Sequence, residues 1–250
     1  MRSEAHDEIA AHLCLEAVLP AFEELTLVSE AARSLIARWK CAIEFGVRND
    51  GGATICFDDG AISVTSGRNS ASALSLLFLS PRHLVNQFSG RGLGVPMLKR
   101  GFLRLTSLVR FQRLGKIFEE EVERQPRLLL SVAIAAIRSL SEHDEEVREI
   151  LRYAPAGMAE LSVPTSDLFG WVELKDGRVD SGRGRAPRAA DVAIEFRNEE
   201  IALAALRGEL DELAATGSGD LRVRGLVPLA EIVGVVAERV NRYLPRPSRI

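Results

Sequence analysis

Few residues of this chain are arranged to make or break bonds. The four histidines, His6, His12, His83 and His143, are scattered and none follows residue 143, so neither a metal site nor a shared base is expected. Serines are many, but no Gly-x-Ser-x-Gly elbow occurs. Gly90-Arg91-Gly92-Leu93-Gly94 carries the glycines of a nucleotide loop. It follows a helical stretch instead of joining a strand to a helix, and no Lys-Ser or Lys-Thr pair accompanies it, so a plain loop is expected. Glu119-Glu120-Glu121 and His143-Asp144-Glu145-Glu146 read as solvated helix faces. The expectation is a protein that is not an enzyme, with no catalytic residue, metal or cofactor.

The chemistry that these residue types do fit is exclusion of water. Leu84, Phe88, Leu103, Leu105, Phe111, Leu114 and Phe118 form one set of apolar residues that helices and strands can bring face to face. Ile194, Phe196, Leu206, Leu221, Val223, Leu229, Ile232 and Val236 form another. Facing rows with so few polar groups make either a closed core or the wall of an apolar ligand site. Cys14, Cys41 and Cys56 are odd in number and set in apolar segments, as reduced core thiols would be.

A net charge of −3 hides a segregated field. Between Gly60 and Phe118 there are nine basic residues and no acid, which leaves 23 basic against 35 acidic residues elsewhere. Within that span Leu93, Met97 and Leu98 precede Lys99-Arg100, with Arg104 close behind. Apolar side chains beside cations suit a segment that dips into an anionic lipid surface. Arg178, Arg183, Arg185 and Arg188 lie in what reads as a Gly-rich loop that can meet phosphate or an anionic head group, although a solvated loop is the commoner case.

The elements that would position these residues occur twice. At an offset of 118, Phe78 falls on Phe196, Gly90 on Gly208, Gly101 on Gly219 and Leu103 on Leu221; Asp59-Gly60 falls on Asp176-Gly177 after a one-residue deletion. Helical periodicity runs from Glu8 to Trp39, with Pro20 expected to divide it into two helices. Alternation around Ile43, Phe45 and Val47 predicts a half-buried strand, and Asp-Gly predicts a tight hairpin in each copy. Ser80 and Asn198 are expected helix caps. Strands are expected at Phe102 to Ser107 and Asp220 to Gly225, followed by helices presenting Phe111, Leu114, Phe118 and Val122, or Leu229, Ile232, Val236 and Val240. The fourth strand of copy one is apolar on both faces, so Leu77 and Leu79 are expected to be covered.

The run from Trp171 to Val240 resembles the sterol carrier protein type 2, or non-specific lipid-transfer, domain. The features that carry the resemblance are Asp176-Gly177, Val192 to Phe196, Gly208, and Ser218-Gly219 with Leu221, Val223 and Gly225. Copy one keeps Asp59-Gly60, Phe78, Gly90, Gly101, Leu103 and Leu105, but has Ser107 in place of the last glycine. The resemblance implies an α+β fold of two sterol-carrier-like domains, each a mainly antiparallel sheet of about five strands covered by helices. It also implies a hydrophobic tunnel for sterols, acyl chains or isoprenoids, which would make the apolar sets above ligand-binding residues.

The domains are expected at 1–125, helical lead-in included, and 126–244, with a loose tail at 245–250. Binding or transfer of a lipid near a membrane is the function expected. The alternative is a non-catalytic scaffold for membrane-associated lipid or quinone biosynthesis, partnered by those enzymes. Nucleic acid is not an expected partner, because the phenylalanines fall at core spacing. The start of the chain has no secretory pattern and the longest apolar run, Leu128 to Ile137, is about half of the roughly 20 residues a span needs, so a cytoplasmic, peripheral protein is expected. Binding to anionic vesicles, weak on neutral ones and falling as salt rises, is the expected outcome of liposome co-sedimentation, and replacing Lys99, Arg100 and Arg104 by Ser should weaken it.

Overall fold

The computed structural model describes residues 4–48, 50–69, 71–89, 96–101 and 105–244. The chain divides into two compact units, the second spanning Arg124–Leu244. Unit one begins with α1 (Glu4–Leu13), a π-helical turn (Cys14–Val18), α2 (Leu19–Val28) and α3 (Glu30–Ile36). Pro20 does not divide the helix, contrary to expectation. Val18 and Leu19 keep right-handed helical backbone and the π turn ends just before the proline, where the wider winding absorbs its missing N–H. The break comes instead at Ser29, an extended residue whose hydroxyl accepts the Ala32 N–H.

The sheet of unit one has the order β3-β2-β1-β4-β5, made by β1 (Lys40–Val47), β2 (Gly52–Asp58), β3 (Ala61–Ser66), β4 (Leu74–Phe78) and β5 (Met97–Arg100). Its helices α4 (Pro81–Phe88) and α5 (Leu105–Val122) flank β5 in sequence. Unit two repeats this plan. After α6 (Pro126–His143) and α7 (Glu145–Arg152) come β6 (Gly157–Val163), β7 (Leu168–Lys175), β8 (Arg178–Arg183), β9 (Val192–Phe196) and β10 (Leu221–Gly225), in the order β10-β9-β6-β7-β8. Between β9 and β10 lie α8 (Glu199–Leu206) and α9 (Glu212–Ser218), and α10 (Val227–Tyr243) closes the unit. In each sheet one parallel pair, β1 with β4 and β6 with β9, sits among antiparallel neighbours. The fold is α+β, twice over.

Local chemistry explains the agreement between the copies. Asp59-Gly60 and Asp176-Gly177 all take positive φ, the backbone that a two-residue hairpin turn requires. Ser80 and Asn198 are both extended caps, accepting the N–H of His83 and Ile201, and α4 and α8 start exactly one offset apart. The register then slips. No strand spans Phe102 to Ser107, because β5 ends at Arg100 and α5 has begun by Leu105. Gly101, at φ +92°, sits beside the start of β4, and a Cβ there would lie 2.7 Å from the Ala73 carbonyl oxygen. Gly225, at φ +109°, makes the same approach to the Asp191 carbonyl beside the start of β9. Gly101 therefore takes the place of Gly225, where the sequence offset had set it against Gly219 and left Ser107 for the last glycine.

The closing helix of unit two is locked to the α6–α7 junction. Asp144, 2% exposed, caps α7 through the N–H groups of Glu146 and Val147. It also receives Arg239 Nε at 2.5 Å and the Tyr243 hydroxyl at 2.7 Å, both from α10. Burial pushes its carboxyl upward in pKa, yet the hydrogen bonds from Arg239 and Tyr243, with the Arg239 charge, hold it below the usual carboxylate range. The capping run read as solvated is thus in part a buried anchor.

Two outcomes follow for thermal and denaturant melts. Gly101→Ala and Gly225→Ala should each cost about 1–3 kcal/mol, since a side chain strikes a carbonyl at positive φ; Gly115→Ala in α5, with open space around it, should stabilise by about 0.5–1 kcal/mol. Asp144→Ala should cost about 2–4 kcal/mol at pH 7, because α7 loses its cap and the Tyr243 hydroxyl its acceptor, while Arg239 keeps Glu146 as its carboxylate partner. With the folded pKa below the unfolded one, the anchor acts fully above the unfolded value and is lost as pH falls through the folded value. Wild type and Asp144→Ala should therefore converge in strong acid.

Candidate functional site on the inner faces of the two sheets

In unit one the inner face of the sheet meets a cluster of aromatic rings. Phe45, on the central strand, lies 6.4 Å from Phe78, 6.0 Å from Phe88 and 5.2 Å from Phe111 between ring centroids. Phe22 of α2 stacks on Phe118 at 4.4 Å and approaches Phe111 at 5.8 Å. Trp39 stacks on Phe57 at 3.9 Å. Of the expected site residues, Leu84, Leu114 and Phe118 are buried, and Phe88 and Phe111 are half-buried. Phe22, Trp39, Phe45 and Phe57 complete the cluster. Sequence reading placed them in elements without assigning them to the site, although Phe45 and Phe57 lie on the same strand faces as Ile43 and Ile55. Leu103 lies outside the described residues, and so does the side chain of Leu105, whose backbone belongs to α5 and not to a strand.

The corresponding layer of unit two is mainly aliphatic. Ile194, Phe196, Leu221, Leu229 and Val236 are buried, whereas Leu206, Val223 and Ile232 are only half-buried. On α10 the buried stripe is Leu229, Val233, Val236, Val240 and Tyr243, so Val233 replaces the expected Ile232. The two residues adjoin on the helix, and periodicity cannot say which one a neighbouring helix covers. More unusual is α8. Ile201, Leu203, Ala204, Ala205 and Leu206 make it apolar all round, yet only Ala202 is buried. Its counterpart α4 is amphipathic and buries Leu84 and Val85 in the ordinary way.

The outer faces carry charge in matching places. Pairing registers put Glu44 of β1 opposite Ser75 and Glu160 of β6 opposite Ala193, one offset apart, so the two glutamates are equivalent. Glu44, 6% exposed, accepts the hydroxyls of Ser72 and Ser75 and pairs with Arg100 at 3.6 Å. Glu160 accepts the Ala186 N–H at 2.8 Å. β1 is accordingly buried on both faces, not half-buried.

Several expected cations are already engaged. Arg68 donates to the carbonyls of Val47 and Asp50 and lies across Gly46. Arg110 donates to the Leu35 carbonyl near the end of α3 and sits 5.2 Å over Trp39. Arg100 belongs to the Glu44 cluster, so replacing it disturbs the sheet as well as the surface. Lys99 is exposed, Met97 is 51% exposed beside Leu77, and Leu98 is half-buried opposite Leu76. Leu93 and Arg104 lie outside the described residues, as do the glycine loop at 90–94 and the tail at 245–250. Leu77 is half-buried, but Leu79 is 55% exposed, so the second apolar face of β4 is covered only in part. The arginine cluster of unit two is not one loop. Arg178 and Arg183 bound β8, Arg188 joins Glu173 and Asp191, and Arg185 lies 3.8 Å over Phe169. Among the described residues no helix is long and apolar enough to cross a membrane.

No family profile and no curated protein matches the chain. Solved structures do. "UbiJ-SCP2 Ubiquinone synthesis protein" is 15% identical, with 46% of this chain and 96% of that one covered at a TM-score of 0.37. The sterol carrier protein domain 2 of Helicoverpa armigera is 16% identical, with 47% and 91% covered at 0.36. Palmitated SCP2L2 from Aedes aegypti is 21% identical, with 45% and 95% covered at 0.30. Many of the solved structures to which this chain is similar are thus sterol carrier protein 2 domains, each covering about half of it.

Proposed function

We propose that the second copy binds an apolar ligand of the acyl, sterol or isoprenoid class, and that the first copy is a filled companion domain. The observation that carries this reading is α8, a helix apolar on every side that leaves all but Ala202 short of burial. A helix of that composition belongs in a core, or against a ligand that completes one. Half-buried Leu206, Val223 and Ile232 supply further apolar wall in the same unit. In the first copy the equivalent layer is occupied by stacked rings, which supports a docking or membrane-facing role there. Lys99 and Met97 are the described residues best placed for contact with an anionic surface, and a scaffold for membrane-associated enzymes is the reading that follows if no ligand is held.

Organic extraction of the purified protein with mass spectrometry, and displacement of a fluorescent acyl probe by natural lipids, test the ligand. Leu203→Glu and Leu206→Glu should each weaken probe binding by about tenfold or more, the scale of placing an unpaired charge in an apolar site. Leu79→Ser in the first copy should leave it unchanged. No co-purified lipid and no probe binding would transfer the case to the scaffold.

A further inference from the structure

An open sheet has two edges, and a bare edge is a row of backbone donors and acceptors able to take another strand. The edges in this chain are treated unequally. On β3 the outward N–H of Val64 donates to the Glu23 carboxylate of α2 at 2.7 Å. On β8 the outward N–H of Ser181 donates to the Asp180 carboxylate at 2.8 Å. β10 ends its sheet with β9 as its one strand neighbour. The Arg197 N–H donates to the Asp220 carbonyl and the Leu226 N–H to the Asp191 carbonyl, so residues 220, 222, 224 and 226 turn their backbone groups toward β9. Leu221, Val223 and Gly225 turn theirs outward, and among the described residues nothing bonds to them.

The side chains along this edge carry one sign of charge. Arg222 and Arg224 are both exposed and stand on the outer face, opposite Glu195 and Ala193. Arg224 meets Glu195 yet its side chain is 64% exposed, and Arg222 has no partner among the described residues. The other acid nearby, Asp220, is taken by Arg197 at 3.0 Å and by the Ser218 hydroxyl at 2.7 Å. Beside Arg222 the outer face opens into a cleft of about 410 Å³ between Pro164-Thr165 and Ser218-Gly219, which leaves room for an incoming side chain. On the inner face Val223 is half-buried.

A strand laid antiparallel on β10 would bond the outward groups of Leu221, Val223 and Gly225. It would then set its own side chains directly opposite Arg222 and Arg224, in the close pairs that exchange no backbone hydrogen bonds. A second copy of β10 fits badly there. Pairing centred on Val223 sets the Arg222 of each copy against the Arg224 of the other, like charges face to face.

We propose that the β10 edge docks an extended segment of a protein partner in which acidic residues alternate with apolar ones, added as a further strand of the second sheet. Backbone bonding along Val223 and Gly225 supplies affinity. Arg222 and Arg224 read acids at alternate positions on the outer face, while the apolar residues between them extend the inner layer beyond Val223. The inference stands apart from whether the second copy holds an apolar ligand.

Fluorescence anisotropy on the full chain, with amide hydrogen exchange at Val223 followed by NMR, tests it. The probes are an end-capped peptide of alternating glutamate and valine, its counterpart with lysine for glutamate, and two N-methylated forms of the glutamate peptide. The glutamate peptide should bind about tenfold or more tightly than the lysine peptide, weaken as salt rises, and slow exchange at Val223. Methylation at the valine amides, which face β10, should abolish binding; methylation at the glutamate amides, which face away, should leave it. Arg222→Glu should cancel the preference without moving the melting temperature, since Arg222 holds nothing in the fold. Equal binding of the glutamate and lysine peptides would overturn the acidic partner, as would no binding of either. Retained binding of the valine-methylated form, or unchanged exchange at Val223 in the bound state, would overturn strand addition. Self-association that slows Val223 exchange without any peptide would give the edge to a second copy and overturn the inference.

Discussion

Each copy is organised by a pair of parallel strands inside an otherwise antiparallel sheet. A parallel neighbour cannot be reached by a hairpin, so the chain must leave the edge at β3 or β8, pass over, and enter on the far side of the first strand. That passage places β4 and β9 where their following caps, Ser80 and Asn198, can launch a helix of equal length in either copy. The return strand must then come back antiparallel on the outer edge. It ends where a glycine at positive φ passes the carbonyl before β4 or β9, which explains why Gly101 and Gly225 survive as glycine although the loops ahead of them differ in length.

With the frame shared, the copies differ in what fills it. Unit one uses rings from α2, α4, α5 and three strands, and aromatic stacking occupies the layer between sheet and helices. Unit two uses mostly branched aliphatics, and α8 stays incompletely covered. The long span of unit one without acids shows a related economy. Arg68 and Arg110 find backbone carbonyls at chain turns and a helix end in place of carboxylates, so part of its positive charge is structural.

Most of the fold was legible because its signals are local. Asp-Gly forces a hairpin, Ser-Pro and Asn-Glu start helices, and alternation marks strands; each needs only neighbouring residues. Errors arose where distance along the chain decides. Whether Pro20 ends a helix depends on the winding just before it, and whether Ile232 or Val233 faces inward depends on which helix lies alongside. The last strand of copy one was misplaced because the offset of 118 was carried across a loop six residues shorter than its counterpart. The candidate site was legible as two apolar sets. It was not legible that one set is completed by Phe22, Phe45 and Phe57, since burial on both faces of β1 follows from the partners of Glu44, which lie some thirty residues away.

Glu44 and Glu160 have a consequence for how the chain reaches this structure. Two copies of one topology in tandem invite strand exchange during folding, when a central strand of either copy can add to the other's unfinished sheet. The two glutamates occupy the same place but are satisfied differently, one by the hydroxyls of Ser72 and Ser75 and by Arg100, the other by the Ala186 N–H. A β1 strand inserted beside β9 would put its carboxylate against Ala193 in place of Ser75, and leave an ion desolvated without its own partners at a cost of several kcal/mol. The divergence of these partners would thus penalise the exchanged sheet, since only in the correct one is each strand's charge answered.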